Sequence, residues 1–227
     1  IVDFSKYQDG TPTRTGDVIY LTNTMEMLNG RKPDNQFGFA VPMLKFVVGS
    51  LPRVPDQSLM PVPGVTPLRA SPPFPATGLG SGTRTFTLQR GGGVPVPGQT
   101  GTETQWLING LEFDPVAPLA VMKVNTFETW NVNNGGGGWV HPMHLHQEEH
   151  HVLGRTGTDP GLPGAPPAPD FVDPRNDTGK EDVITLAGSE QSTIYRGFRT
   201  YCGNYVAHCH NLAHEDHNMM FGWVIAP

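Results

Sequence analysis

Short stretches of alternating apolar and polar residues run through much of this chain, and few segments show the three-to-four-residue spacing of an amphipathic helix. Turns rich in Gly, Pro, Asn and Asp separate these stretches, a pattern typical of an all-β protein. The strands predicted in this way are Val18–Leu21, Leu44–Val48, Thr83–Gln89, Ala120–Val124, Thr126–Val132, Asp182–Leu186, Ser192–Phe198, Asn204–His208 and Met220–Ile225. Their spacing predicts a Greek-key β-sandwich.

A proline-rich segment, residues 51–82, interrupts this pattern and is predicted to be a semi-rigid interdomain linker. Residues 83–227 are long enough for one complete sandwich, whereas residues 1–50 hold too few strands to close a core of their own. We therefore expect residues 1–50 to be the last strands of a preceding domain. An extension packed on the main sandwich is the alternative. A second irregular insertion, Gly154–Lys180, is predicted to be a surface loop.

The composition of the chain argues against some classes of binding partner. The formal net charge of −6 argues against a phosphate-binding surface, so nucleic acid is not an expected partner. No apolar run approaches the roughly 18 residues of a membrane-spanning helix. The candidate chemistry lies instead in histidine, because all nine histidines fall within residues 141–151 and 208–217.

The second histidine window begins with His208, Cys209 and His210. Successive side chains on a strand point to opposite faces, so the two histidines share one face and Cys209 occupies the other. Cys209 is therefore predicted to lie between two metal environments. A buried free cysteine flanked by hydrogen-bonded histidines is the alternative.

A thiolate, two imidazoles and a weak axial thioether form a blue-copper electron-transfer site. Cys209, His214 and Met219 supply three of these four ligands. We expect Pro142 to interrupt its strand, since proline lacks an amide donor, and so to free His141 to point toward Cys209 as the fourth ligand.

The remaining histidines of the two motifs predict a second metal cluster. His144 and His146 share a face by alternation, and together with His208 and His210 they form a set of four imidazoles. A strand with solvent-facing histidines is the alternative. The histidines left over are expected at the surface or in supporting roles: His150, His151 and His217.

These motifs resemble a known family. The runs His141–His146 and His208–Met220 are similar to the third and fourth copper motifs of multicopper oxidases, and the end of the second run, His214–Met220, is similar to the branch of bacterial spore-coat laccase, bilirubin oxidase and phenoxazinone synthase. Thr126–Asn133 and Trp106–Pro115 also match that branch, and Ile1–Tyr7 resembles a strand late in its second domain. The resemblance implies cupredoxin-like domains, with residues 1–50 ending the second and residues 83–227 forming the third.

The resemblance also implies an oxidoreductase that couples one-electron oxidation of a substrate at type 1 copper to four-electron reduction of dioxygen to water at a trinuclear cluster. A complete enzyme holds four copper ions. Type 1 copper would take His141, Cys209, His214 and axial Met219. The type 2 and type 3 coppers would take His144, His146, His208 and His210. The other half of the trinuclear ligands comes from two His-x-His motifs that this sequence lacks, so we expect an N-terminal fragment or chain of the same oxidase as a heterodimeric partner.

The resemblance points to three residues as catalytic. His214, with one ring edge expected toward solvent, would admit the substrate's electron, and Cys209 would pass it on. Glu215 would relay protons toward the oxygen-reducing cluster, or else accept a hydrogen bond that orients an imidazole. Cys202 is no copper ligand by spacing, and is either a buried thiol or a disulfide partner of another fragment.

Two other classes of protein are built from similar β-sandwiches and are the alternatives: electron-transfer cupredoxins and copper nitrite reductases. The doubled histidines around Cys209 disfavour both. The reducing substrate stays open among phenols, aromatic amines, bilirubin-like tetrapyrroles, Cu(I) and Mn(II). The glycosylation sequon at Asn176 fits a secreted, extracellular or periplasmic location.

Overall fold

A computed structural model describes residues 3–28, 32–50, 54, 61–62, 65, 82–95, 97–98, 100–135, 138–156 and 179–227. The chain divides into two compact units, one of Ile1–Glu26 with Asn35–Pro72 and one of Met27–Asp34 with Pro73–Pro227. Most of the predicted linker (51–82) and the centre of the predicted loop (Gly154–Lys180), with the sequon at Asn176, lie outside the described residues.

Two strands, β1 (Val18–Leu28) and β2 (Lys32–Val47), form a two-stranded sheet, most of which belongs to the first unit. Both strands are longer than their alternation predicts. In β2 the prolines at 33 and 42 disguise the pattern, because proline is unusual inside a strand. Whether these strands close a preceding domain stays a prediction.

The second unit is a sandwich of two five-stranded sheets. One sheet contains β3 (Thr83–Pro95), β4 (Thr102–Ile108), β6 (Thr126–Asn134), β8 (His150–Thr156) and β10 (Gln191–Phe198), in the order β4-β3-β6-β10-β8. The other contains β5 (Ala120–Lys123), β7 (His141–Leu145), β9 (Val183–Leu186), β11 (Gly203–Cys209) and β12 (Met220–Ala226), in the order β5-β12-β11-β7-β9. A single helical turn, α1 (Leu212–Glu215), joins β11 to the segment before β12.

The core lies between the two sheets and is rich in aromatic rings. Trp130 and Trp223 are fully buried, and their ring centroids are 6.0 Å apart in an edge-on arrangement. Phe86 and Phe221 stack with centroids 4.3 Å apart. The predicted all-β sandwich is confirmed. Within the described residues, no helix is long and apolar enough to cross a membrane.

Candidate metal centres

The first group of ligand-type side chains, called here the sulfur group, consists of His141, Cys209 and His214. The Nδ1 atoms of the two histidines are 3.1 Å apart, and the Cys209 Sγ lies 3.7 Å from each. A point equidistant from these three atoms lies about 2 Å from each, close to the length of a bond between a protein ligand and a divalent transition metal. All three residues are buried. The group therefore has the spacing and the donor types of a copper site.

Three elements bring the sulfur group together. His141 opens β7 and Cys209 ends β11, and these two strands pair with Cys209 opposite Met143. His214 lies on α1, which begins at the capping residue Asn211, whose side-chain Oδ1 accepts a hydrogen bond from the Ala213 amide. Asparagine is a strong helix N-cap because it satisfies an amide that has no partner within the helix.

Met219 is held against the sulfur group by its backbone. Its amide donates to the His214 carbonyl at 3.0 Å, and its own carbonyl accepts from the Cys209 amide at 3.0 Å. The side chain is fully buried. The predicted axial ligand is therefore tied by two hydrogen bonds to two of the residues that it would join.

Two tryptophans cover the imidazoles of the sulfur group. The Trp106 ring centroid lies 4.0 Å from that of His214 and 5.2 Å from that of His141. Trp139 packs edge-on against His214 at 5.4 Å. His214 is consequently only 3% exposed. Whether that small exposed fraction is a ring edge, as expected from the resemblance, stays a prediction.

Burial sets the protonation of the sulfur group. It lowers the pKa of His141 to about 3 and that of His214 to about 4, so both imidazoles are neutral at neutral pH and each has a free nitrogen lone pair. Burial also raises the pKa of the Cys209 thiol to about 12. A buried thiol of this kind becomes a thiolate when a metal cation takes the place of its proton. The donor set thus fits a soft, thiolate-binding metal such as copper.

The second group, called here the histidine group, consists of His144, His146 and His208. Their ligand nitrogens all lie within 4.8 Å of one another, and the Nε2 atoms of His146 and His208 are 3.2 Å apart. His208 stands directly opposite His144 in the pairing of β11 with β7. His210 lies beside the group on its exposed side, with its ring centroid 5.3 Å from that of His208. The four histidines predicted to cluster are therefore neighbours.

Pro142 does not interrupt its strand, and that premise of the sequence analysis is wrong. It lies inside β7, opposite Thr185 of β9, and its carbonyl accepts a hydrogen bond from the His210 amide. His141 faces Cys209 because an uninterrupted strand alternates its side chains, which puts His141 and His144 on opposite faces. The proline is tolerated because its carbonyl still joins the sheet.

Two acceptors support the histidine group. The Nδ1 of His144 lies 3.0 Å from the Asp182 carbonyl, next to the start of β9. The Glu215 Oε2 lies 3.1 Å from the Nδ1 of His208, an ion-pairing distance without the alignment of a hydrogen bond. Glu215 is thus placed where the sequence predicts it, beside the histidines of the second cluster.

The other predicted residues lie apart from both groups. His217 is partly exposed and its Nε2 lies 3.0 Å from the Glu103 carboxylate, whereas His151 is half-buried on β8. His150 is fully buried rather than at the surface, and neither ring nitrogen has a hydrogen-bond partner among the described residues. Cys202 is exposed, so it is not the buried thiol that was one alternative.

Trp106 and Asp182 were not predicted from the sequence as parts of the two groups. Trp106 lies on β4, a strand whose alternation was not recognised, and its contact with His214 joins residues far apart in the chain. Asp182 adjoins β9, which pairs with β7. Recognition of that pairing is the signal that would have placed its carbonyl beside His144.

Comparison with known proteins agrees with this geometry. A family model described as multicopper oxidase matches residues 92–227. The bilirubin oxidase of Albifimbria verrucaria is 31% identical over 223 residues, which cover 97% of this chain and 33% of that protein. A laccase of Bacillus stratosphericus is 28% identical over 234 residues, covering 97% of this chain and 39% of that protein. The crystal structure of the McoA multicopper oxidase from Aquifex aeolicus shares the fold, with a TM-score of 0.57 at 21% identity over 95% of this chain and 42% of that one.

The chain belongs to the multicopper oxidase family. Family membership implies copper as the metal, and the relatives named above are oxidoreductases. The chain spans well under half the length of the relatives named above.

Proposed function

We propose that this chain is the part of a laccase-like oxidase that takes single electrons from a small reducing substrate and delivers them to the site where dioxygen is reduced to water. One observation carries the proposal: Cys209 of the sulfur group and His208 of the histidine group are consecutive residues. An electron that enters the first group reaches the second through one stretch of backbone. A protein that only transfers electrons would need the sulfur group alone.

The ligand assignment follows the two groups. His141, Cys209, His214 and axial Met219 would hold type 1 copper, and the type 2 and type 3 coppers would take His144, His146, His208 and His210. Bound copper supplies the one-electron redox chemistry at both groups. The protein's part is to keep the imidazoles neutral, through burial at His141 and His214, and to exclude water from the sulfur group with Trp106 and Trp139.

The proposed catalytic roles fall to Cys209, His214 and Glu215. The substrate's electron would enter through the small exposed part of His214 or through the rings packed on it. Dioxygen reduction to water consumes protons, and the Glu215 carboxylate lies 3.1 Å from the Nδ1 of His208, closer to the histidine group than the Asp182 carboxylate, which is 3.9 Å from His144. The Glu215 carboxylate would carry protons to that group.

A second polypeptide segment with two His-x-His motifs is the proposed partner. Four histidines are about half of what three copper ions and bound oxygen require, and this sequence has no further His-x-His pair. Large apolar side chains on β1 and β2 support the proposal, because they are exposed in the chain alone: Tyr20, Leu21, Met43, Leu44 and Val47. Exposed apolar surface of this kind is typical of an interface. A heterodimeric or nicked oxidase outside the cytoplasm is the proposed assembly.

Metal analysis and oxygen consumption test the proposal. The 227-residue chain alone should take up copper at the sulfur group, show the intense absorption of a thiolate–copper bond and consume no dioxygen. Addition of a segment with two His-x-His motifs should restore oxidation, and a panel of phenols, bilirubin and Mn(II) would then identify the substrate class. Full oxidase turnover by the isolated chain would overturn the partner, and absence of the thiolate–copper band would overturn the function.

A further inference from the structure

Among the described residues, one arginine lies in the aromatic core of the sandwich. Arg196 of β10 is 1% exposed. Its guanidinium carbon is 4.8 Å from the ring centroids of both Trp130 and Trp223, and 5.4 Å from that of Phe198. Burial lowers its pKa to about 9, so it remains charged at neutral pH. A cation in the core is costly unless its contacts compensate, and the rings supply part of that compensation.

The hydrogen bonds of Arg196 are directed at the end of the histidine motif. Its Nη2 donates to the carbonyl of His146 at 2.9 Å and to the carbonyl of Glu148 at 3.1 Å. Gln147, between these two residues, has a φ of 80°, in the left-handed region that a residue with a side chain rarely adopts. One guanidinium nitrogen thus spans a turn that the backbone alone would disfavour.

We propose that Arg196 is a positioning residue for the metal ligand His146, a role that rests on the proposed function above. His146 is the last residue of the His-x-His pair, just beyond the end of β7, so the sheet fixes its backbone on one side only. Arg196 fixes the other side by holding the carbonyl of His146 itself. The direction of the His146 ring toward His208 then depends on a residue of the opposite sheet.

This arrangement couples the core to the metal group without any contact between Arg196 and a metal. Groups that orient a metal ligand commonly change metal affinity by about 10- to 100-fold when they are removed. If Arg196 served stability alone, its loss would lower the unfolding temperature and leave the histidine group unchanged. The two roles therefore predict different measurements.

The test is a Cu(II) titration of the 227-residue chain assembled with a segment that carries two His-x-His motifs, because the histidine group is incomplete without it. The thiolate-to-copper absorption reports the sulfur group, and the electron paramagnetic resonance signal of Cu(II) bound by imidazoles without a thiolate reports the histidine group. In Arg196→Gln we expect the affinity of the histidine group to fall about 10- to 100-fold while the absorption of the sulfur group is unchanged. Arg196→Lys keeps the charge between the tryptophans and one donor group, so it should retain part of the affinity.

Arg155→Gln is the matched control. Arg155 of β8 is also largely buried, but it donates to the Thr185 carbonyl and pairs with Glu190, neither of which adjoins His146. It should lose stability and keep both copper affinities. Wild-type affinity of the histidine group in Arg196→Gln, or in Arg196→Lys if the first variant does not fold, would overturn the inference. A wild-type assembly that binds no copper at the histidine group would instead overturn the proposed function.

Discussion

At the scale of single residues, Cys209 is the side chain on which the proposed electron path depends. Cys209→Ser removes the sulfur that lies 3.7 Å from both His141 and His214, so the intense visible absorption and all substrate oxidation should disappear. The fold should persist, because a sandwich core does not depend on one ligand. Cys202→Ser, at the exposed cysteine, should retain the colour. A blue band that survives in Cys209→Ser would contradict the assignment of the type 1 site.

Met219 is the second residue whose role can be measured alone. A thioether is a weak axial ligand that tunes the reduction potential of a blue-copper site. Met219→Leu should keep the colour and raise the potential, because leucine of similar volume removes a donor to the oxidised ion. Redox titration checks this result. Met220→Leu is the control, since Met220 belongs to β12, and an unchanged potential in Met219→Leu would mean that Met219 is not axial.

Glu215 has two possible roles, proton relay and orientation of His208, and one variant separates them. Glu215→Gln keeps the size of the side chain and removes its proton-carrying group. A relay predicts that oxidase turnover falls about 10²- to 10⁴-fold while substrate still bleaches the type 1 absorption at the normal rate. Stopped-flow absorption in the assembled oxidase measures both steps. Asp216→Asn, one residue further, should leave both rates unchanged; an orienting role alone predicts full turnover in Glu215→Gln.

At the scale of elements, alternation predicted β11 and its two faces well, because a strand period of two is a local property. The burial of His214 could not be predicted in this way. Its cover comes from Trp106 on β4, and contacts between distant strands leave no periodic trace in either segment. Pro142 misled the prediction of β7 for a related reason: the general rule that proline breaks a strand ignores the carbonyl that still pairs with β11.

The single turn of α1 carries His214, so its N-cap should matter to the metal site. Asn211→Ala removes the acceptor of the Ala213 amide and should lower the free energy of unfolding by about 1 kcal/mol. Copper affinity of the sulfur group should fall with it, since a frayed turn no longer fixes His214. Denaturant unfolding and copper titration measure the two effects. Asn204→Ala, at an exposed site on β11, is the control and should change neither.

At the scale of the whole molecule, buried histidines set the acid stability of the copper-free protein. Burial lowers the pKa of His150 to about 3, below the ordinary value near 6.5 that it regains on unfolding. Between these values the unfolded state binds the proton and the folded state does not, so stability falls as pH drops from about 6.5 toward 3. His150→Gln should reduce the slope of unfolding free energy against pH by about 1.4 kcal/mol per unit within that window.

His217 provides a control of opposite sign. Its pKa is raised, first by the Ala213 carbonyl and then by Glu103, so its contribution to stability is present below its unfolded pKa and lost as pH rises through the folded one. Removal of that contribution in His217→Gln should lower stability by a constant amount below about pH 6.5 and leave the slope between pH 3 and 6.5 unchanged, so its effect on the slope lies above that window. Chemical unfolding of both variants at several pH values gives the comparison. A slope in His150→Gln equal to that of the wild type would contradict the neutral, buried state of His150.

The pairing of β7 with β11 has a consequence for how such a protein can change over generations. The ladder that sets His208 opposite His144 also sets Cys209 opposite Met143. Deletion of one residue in β11 would shift this register and turn every side chain beyond it to the other face. The side chains of Cys209 and His208 would then point to each other's face of the strand, and both the sulfur group and the histidine group would be lost through one deletion. The two sites are therefore inherited as a single unit. They tolerate substitutions at neighbouring residues but not a change in the length of β11.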